Sequence, residues 1–198
     1  MQKTVFKIAG IASLIVLASS ILAINAPAYA IWGHGVSYGP QYGAGPYDTY
    51  TDGLKINGIS FDISKSPTTI PTQKLYVSTT NMITLKIYHH ASPKFINHVA
   101  LFMNSNDPVP ATYKSDTSIA WDRYSGVTVT DPHGMIKNAT ANITYDSQHM
   151  YITFQIKPAS TMDTSNLIIQ SWDNKLSAGT EIVMNAIKIS YLPESFSR

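Results

Sequence analysis

From residue 54 onward, apolar and polar side chains alternate in short runs separated by turn residues. Ile59, Phe61 and Ile63 form one run, closed by Lys65-Ser66-Pro67, and Leu75 with Val77 forms a shorter one before the turn at Ser78 to Asn81. Ile83, Leu85 and Ile87 share one side while Thr84, Lys86 and Tyr88 share the other, and Val99, Leu101 and Met103 repeat the pattern. The alternation returns at Ile119 and Trp121, at Val127 and Val129, and over Ala139, Ala141, Ile143 and Tyr145. Ile152, Phe154 and Ile156, then Leu167 and Ile169, then Val183, Asn185, Ile187 and Ile189 complete it. A period of two places each set on one face of a pleated strand. Between the runs, Asn104 to Pro110 reads as a loop, Asp131-Pro132-His133-Gly134 as a turn and Asp146 to His149 as a hairpin connection. No window beyond the N-terminal segment spaces apolar residues at i, i+3, i+4 and i+7. Seven to nine short strands with frequent turn signals predict an all-β chain folded as an antiparallel β-sandwich, with a barrel as the structural rival.

The first thirty residues follow another pattern. Lys3 and Lys7 precede an almost unbroken apolar run from Ile8 to Ile24, and Ala28-Tyr29-Ala30 is a small-x-small cleavage site. Residues 1–30 are therefore expected to be a signal peptide, although an uncleaved run of about 17–25 apolar residues also suffices for a membrane anchor. Residues 31–53 hold six glycines between Gly33 and Gly53, with Tyr38, Tyr42, Tyr47 and Tyr50 and no apolar period. They are expected to form a flexible Gly/Tyr/Pro tether, or a sticky arm whose tyrosines stack on glycans, on other chains or on the protein's own sheet edge. Residues 54–192 form the single sandwich domain and 193–198 a C-terminal tail.

Charge and cysteine content narrow the function. Two of the fourteen basic residues leave with the leader, so twelve face twelve acidic ones and the mature chain is formally neutral. A neutral surface gives no electrostatic reason to expect nucleic acid, and no polybasic patch for anionic lipid. A membrane partner is expected only through an uncleaved N-terminal segment. The chain has no cysteine, which removes disulfides, thiolate nucleophiles, cysteine-ligated zinc and the blue-copper ligand set.

The candidate chemistry lies in histidines and asparagines. His89, His90 and His98 flank one strand connection, and with His133 they are candidate copper or zinc ligands because neutral imidazole readily binds both. His133 and His149 lie in separate loops and could join the others only if those loops share the same rim. His34 would enter an amino-terminal copper site only if trimming exposed Trp32-Gly33-His34. The competing expectation is that these are polar loop residues. Asn138-Ala139-Thr140 and Asn142-Ile143-Thr144 match the N-glycosylation pattern, and their spacing puts Asn138 and Asn142 on one polar strand face. Trp121-Asp122 and Trp172-Asp173 read as strand ends with the indole buried and the carboxylate outside. No G-x-S-x-G, H-E-x-x-H, phosphate loop or EF-hand loop is present, and no enzymatic activity is expected.

The run TIPTQKLYVSTTNMITLKIY followed by INHVALFM resembles the first half of a cupredoxin domain, with His98 where that family often has its first copper histidine. The family's later Cys…His…Met loop is missing, so the resemblance implies the fold without a blue-copper centre. ITFQIKPASTMDTSNLII resembles a strand and corner of immunoglobulin-like domains in microbial surface proteins. Through SFDISKSPTTIPTQKLYV, HVALFMN, VTDPHG and MDTSNLIIQSWDNK, the chain as a whole resembles small exported sandwich proteins of ammonia-oxidising archaea. These resemblances imply an immunoglobulin-like or cupredoxin-like Greek-key sandwich outside the cell, and no particular activity.

The expectation is an exported, non-enzymatic cell-surface or secreted protein, without a cofactor, that binds other envelope or surface proteins or glycans. The alternative is a copper-handling domain built on the histidine cluster.

Overall fold

The computed structural model describes residues 39–43 and 52–193 of the 198-residue chain. The expected leader with its expected cleavage point after Ala30, His34, Tyr38, Tyr47, Tyr50 and the residues beyond Pro193 lie outside the described residues. Among the described residues the chain is all-β apart from two 3₁₀ turns at Pro93–Phe95 and Thr112–Lys114, and no helix is long and apolar enough to cross a membrane.

The strands are β1 (Gln41–Tyr42), β2 (Leu54–Ile56), β3 (Ile59–Phe61), β4 (Thr68–Thr69), β5 (Gln73–Tyr76), β6 (Asn81–Tyr88) and β7 (Ile96–Met103). They continue with β8 (Thr117–Asp122), β9 (Gly126–Thr130), β10 (Ile136–Tyr145), β11 (His149–Pro158), β12 (Met162–Asp173) and β13 (Ala178–Ser190). One sheet runs β10-β11-β6-β2-β3, with β1 also on β6; the other runs β4-β13-β12-β7-β8-β9, with β5 also on β13. The order β12-β7-β8-β9 is the Greek-key arrangement, three successive strands with a later one returning beside the first. Two features differ from expectation. β4 and β5 pair parallel to β13, and the strands outnumber nine because pieces of two to four residues leave almost no alternation to read.

Inward residues of the two sheets share one core. Ile83, Leu85 and Phe154 from the first sheet and Leu101, Leu167 and Ile187 from the second are fully buried within it. Each contributes about 1.5–3 kcal/mol relative to exposure, and this burial is the main stabilising term in a chain without disulfides.

Three local features change the sequence reading. Asn57 and Gly58 take φ of 47° and 90°, the two-residue turn whose twist suits a tight hairpin, so β2 and β3 pair and Ile59 is 54% exposed instead of facing inward. Asn185, at φ 52°, bulges out of β13: its N–H donates to Asn166 Oδ1 (2.8 Å) and its carbonyl accepts from Thr72 Oγ1 (2.8 Å). It therefore leaves the inward row of Val183, Ile187 and Ile189.

The third feature corrects the tether. Gly39 to Gly43 belong to the fold, with β1 pairing along the end of β6 and Tyr42 only 3% exposed. The Tyr42 hydroxyl lies 2.8 Å from Ser171 Oγ on the opposite sheet, and it also donates to the Gly179 carbonyl. Gly43 donates to the Lys86 carbonyl, and the Lys86 N–H donates to the Gly53 carbonyl, so both glycines meet β6 at one residue. A Cβ on Gly53 would sit 2.8 Å from Gly43 N, and one on Gly179 1.9 Å from the Pro40 carbonyl oxygen. Glycine at these positions is what lets the strap close on both sheets. Tyr42 is thus a core residue bonded to the opposite sheet, and not part of a tether.

Candidate functional site

One rim of the sandwich collects the ends of β6, β8, β10 and β12 and the starts of β7, β9, β11 and β13. Four of the candidate histidines lie there. The period of two carries Ile83, Leu85 and Ile87 inward, and His89 two residues later continues that row, 3% exposed. On β12 the inward row Leu167, Ile169 and Ser171 continues to Asp173, 1% exposed. The two rows meet between the sheets, where His89 Nε2 lies 3.1 Å from Asp173 Oδ2.

The other bonds of this pair define its proton. The Ala91 and Ser92 N–H groups donate to His89 Nδ1 (3.3 and 3.2 Å), which makes Nδ1 an acceptor and puts the proton on Nε2, facing the carboxylate. Asp173 Oδ1 accepts from the Lys175 and Ser177 N–H groups (2.8 and 2.9 Å). Burial alone would raise the Asp173 carboxyl, but the bonds from His89 and these two N–H groups outweigh it and hold the group below the ordinary carboxylate range. His89 thus fixes the loop after β6, Asp173 fixes the loop after β12, and their bond joins the two.

Neighbouring loops are tied into the same network. Asn174 N–H donates to the Phe95 carbonyl (2.9 Å), and the Phe95 ring meets His89 edge-on at 5.9 Å. Arg123, between β8 and β9, donates to Asn97 Oδ1 and the Ile96 carbonyl (both 2.9 Å) and to the Lys94 carbonyl. Asp122 Oδ1 accepts from the Tyr124 and Ser125 N–H groups and shapes that turn. Loops fixed in this way present Phe95 at 40%, Tyr124 at 85% and Leu176 at 79% exposure. Leu176 has φ 64°, a left-handed conformation that costs a branched residue about 1–2 kcal/mol. Its N–H donates to the Asp173 carbonyl (3.1 Å), within the turn that the Asp173 carboxylate closes.

His98, His149 and His133 each face their own carboxylate. His98 pairs across strands with Trp172 and stacks on it, ring centroids 3.5 Å apart and planes 9° from parallel. Its Nδ1 is 3.6 Å from Asp122 Oδ2, a charge contact too long for a hydrogen bond. Burial lowers the His98 pKa, opposed by that carboxylate. His149 Nδ1 lies 3.1 Å from Asp146 Oδ2, which also accepts from the Tyr151 hydroxyl (2.8 Å). Burial, with the Asp146 bond second, pushes that phenol up to about 12. His133 belongs to the opposite rim, 2.7 Å from Asp116, and the turn around it closes with Gly134 at φ 64°. His90 lies beside His89, ring centroids 6.1 Å apart.

The copper expectation calls for two or three of these to converge, His98 with His89 or His90 first among them. Among the described residues, no group of three or more His, Cys, Asp or Glu side chains gathers to hold a metal ion. His98 stands on the outer face of one sheet, His149 on the outer face of the other, and His89 between them, with stacked sheets about 10 Å apart. With Nδ1 accepting and Nε2 donating, His89 has no lone pair to offer.

The Trp-Asp reading is reversed at the end of β12. Asp173 is buried and Trp172 is half-buried on the outer face, because the carboxylate finds three donors inside and the indole finds His98 outside. The sequence reading missed Phe95, Arg123, Tyr124 and Leu176. Short loops carry no period, but extending the inward rows by one step reaches both His89 and Asp173. Asn138 and Asn142 stand together on the exposed face of β10, the sheet's edge strand.

No described protein family and no curated protein matches this sequence. Among solved structures, the chain is similar to an ASH / PapD-like domain of human CEP192 (PapD-like domain 7) at 10% identity. The match covers 72% of this chain and 89% of that one with a TM-score of 0.28, and so loose a superposition carries no functional argument. The strand pairings themselves establish an all-β sandwich.

Proposed function

We propose that the protein is an exported binding domain of the cell envelope that holds a protein partner through the rim formed by Phe95, Tyr124 and Leu176. The observation that carries this is Leu176, an apolar side chain 79% exposed at φ 64° on a turn closed by a buried carboxylate. The Leu176 backbone closes the turn, but its side chain, held in water in a costly conformation, adds no burial to the fold and points to use at the surface. Phe95 and Tyr124 stand on successive loops of the same rim, joined to it and to each other by hydrogen bonds, which lowers the ordering cost of binding. The N-terminal leader pattern supports export, and the neutral balance of charge favours an apolar and aromatic contact over a charged ligand.

The test uses purified protein and envelopes of the producing cells. Saturable binding is expected, removed by protease treatment of the envelopes and retained after glycosidase treatment. Combined Phe95→Ala, Tyr124→Ala and Leu176→Ala, with an unchanged circular dichroism spectrum, should weaken binding at least about tenfold. Undiminished binding by the variant would refute the rim. Binding lost to glycosidase alone would assign the partner to glycans.

A further inference from the structure

We infer that Asn138 and Asn142 are both N-glycosylated, and that their glycans cover the outer face of the first sheet along its edge strand. Both asparagines open Asn-x-Thr sequences, and β10 exposes both side chains together with Thr140 and Thr144. Every second residue of a strand shares a face, so each amide stands about 7 Å from the hydroxyl two positions on, and the two amides about 14 Å apart. That spacing leaves room for two glycans side by side.

The asparagine side chains of the fold divide into engaged and unengaged ones, and of the unengaged, Asn106, Asn174 and Asn185 open no Asn-x-Ser/Thr sequence. The side-chain amides of Asn57, Asn81, Asn104 and Asn166 all donate hydrogen bonds within the fold, and the Asn97 side chain accepts one from Arg123. Asn138 and Asn142 make no side-chain hydrogen bond among the described residues, so a sugar on Nδ2 displaces nothing. The inward neighbours Ala139, Ala141 and Ile143 pack against the core and keep the asparagines facing outward. The donor is a lipid-pyrophosphate-linked oligosaccharide. A bond forms between Nδ2 and sugar C1 while the C1–O bond to the phosphate breaks. The lipid pyrophosphate leaves with that electron pair, and one Nδ2 proton passes to a base of the transferase. Across the strand, glycans there would overlie Thr153 and Lys157 of β11 and leave the opposite sheet and the rim uncovered.

The inference rests on export, so the test separates the two. The full chain is placed behind a proven secretion leader in a glycosylating eukaryotic cell, and the secreted protein is weighed before and after peptide N-glycosidase. Two glycans are expected, one on each single variant (Asn138→Gln or Asn142→Gln) and none on the double variant. Secreted protein carrying one glycan or none overturns the inference. A parallel chain bearing only its own first thirty residues as leader, retained inside while the other is secreted with two glycans, overturns export alone and upholds the glycan sites.

Discussion

His89 donates from Nε2 to Asp173 Oδ2 at 3.1 Å across the gap between the two sheets, with both side chains almost wholly out of water. The pair is the continuation of two inward rows of apolar residues into a polar contact, and it converts two strand ends into one jointed rim. Leu176 and Phe95 are placed by it.

Asp173→Asn tests that joint. Oδ1 can keep the Lys175 and Ser177 N–H bonds, but the new amide then points N–H groups at His89 Nε2–H. Switching the ring tautomer only moves the conflict to Nδ1, which already faces the Ala91 and Ser92 N–H groups. Some donor faces a donor in every arrangement, so urea unfolding should show a loss of about 2–4 kcal/mol.

The same carboxylate sets a dependence on acid. Its folded-state pKa is lowered, so the unfolded chain takes up a proton more readily than the folded one. The stabilisation is complete above the ordinary value of about 4 and is lost as the pH falls through the folded value. Urea midpoints of the wild type should drop below about pH 4, and the Asp173→Asn drop should be shallower.

Glu181 acts in the opposite sense. Its position on β13 faces the core beside Tyr42, and one carboxyl oxygen is buried without a hydrogen-bond partner among the described residues. Burial raises its pKa from 4.5 to about 7, against a hydrogen bond from Ser66. Between those values the unfolded chain has released a proton that the folded chain still holds, so stability falls as pH rises through that window and stays lower above it. Glu181→Gln should remove this slope and stabilise the protein by about 1–2 kcal/mol above pH 7, a figure reduced for its partial exposure.

Tyr42→Phe keeps the ring in the core and removes the hydroxyl shared with Ser171, itself fully buried. Leaving the serine without that partner should cost about 1–2 kcal/mol in urea unfolding. Burial holds the Tyr42 phenol far above the ordinary tyrosine range, so the native protein should show one tyrosine that ionises only on unfolding when titrated by ultraviolet absorbance.

The alternation of long strands made the sandwich and its central core legible, because β6, β7, β11 and β12 are each long enough to repeat the pattern. The outward pairing of Asn138 with Asn142 was legible for the same reason. The two-residue strands β1 and β4 were not, since a single alternation is indistinguishable from chance. Asn57-Gly58 carried a hairpin signal that would have placed Leu54 and Ile56, both fully buried. His89 and Asp173 were readable as inward by parity, yet a charged side chain ordinarily faces water and each lacked a visible partner. Their contact joins residues 84 positions apart and emerges only when the sheets are stacked.

The rim, and not another face, is proposed to meet the partner. A photoactivatable crosslinking residue placed singly at Phe95, Tyr124 and Leu176, and for comparison at Thr140, Tyr113 and Ile59, tests it on the producing cells. One discrete protein adduct is expected from the three rim positions and none from the comparison positions. Adducts arising from Thr140, Tyr113 or Ile59 while Tyr124 and Leu176 stay silent would contradict the proposal.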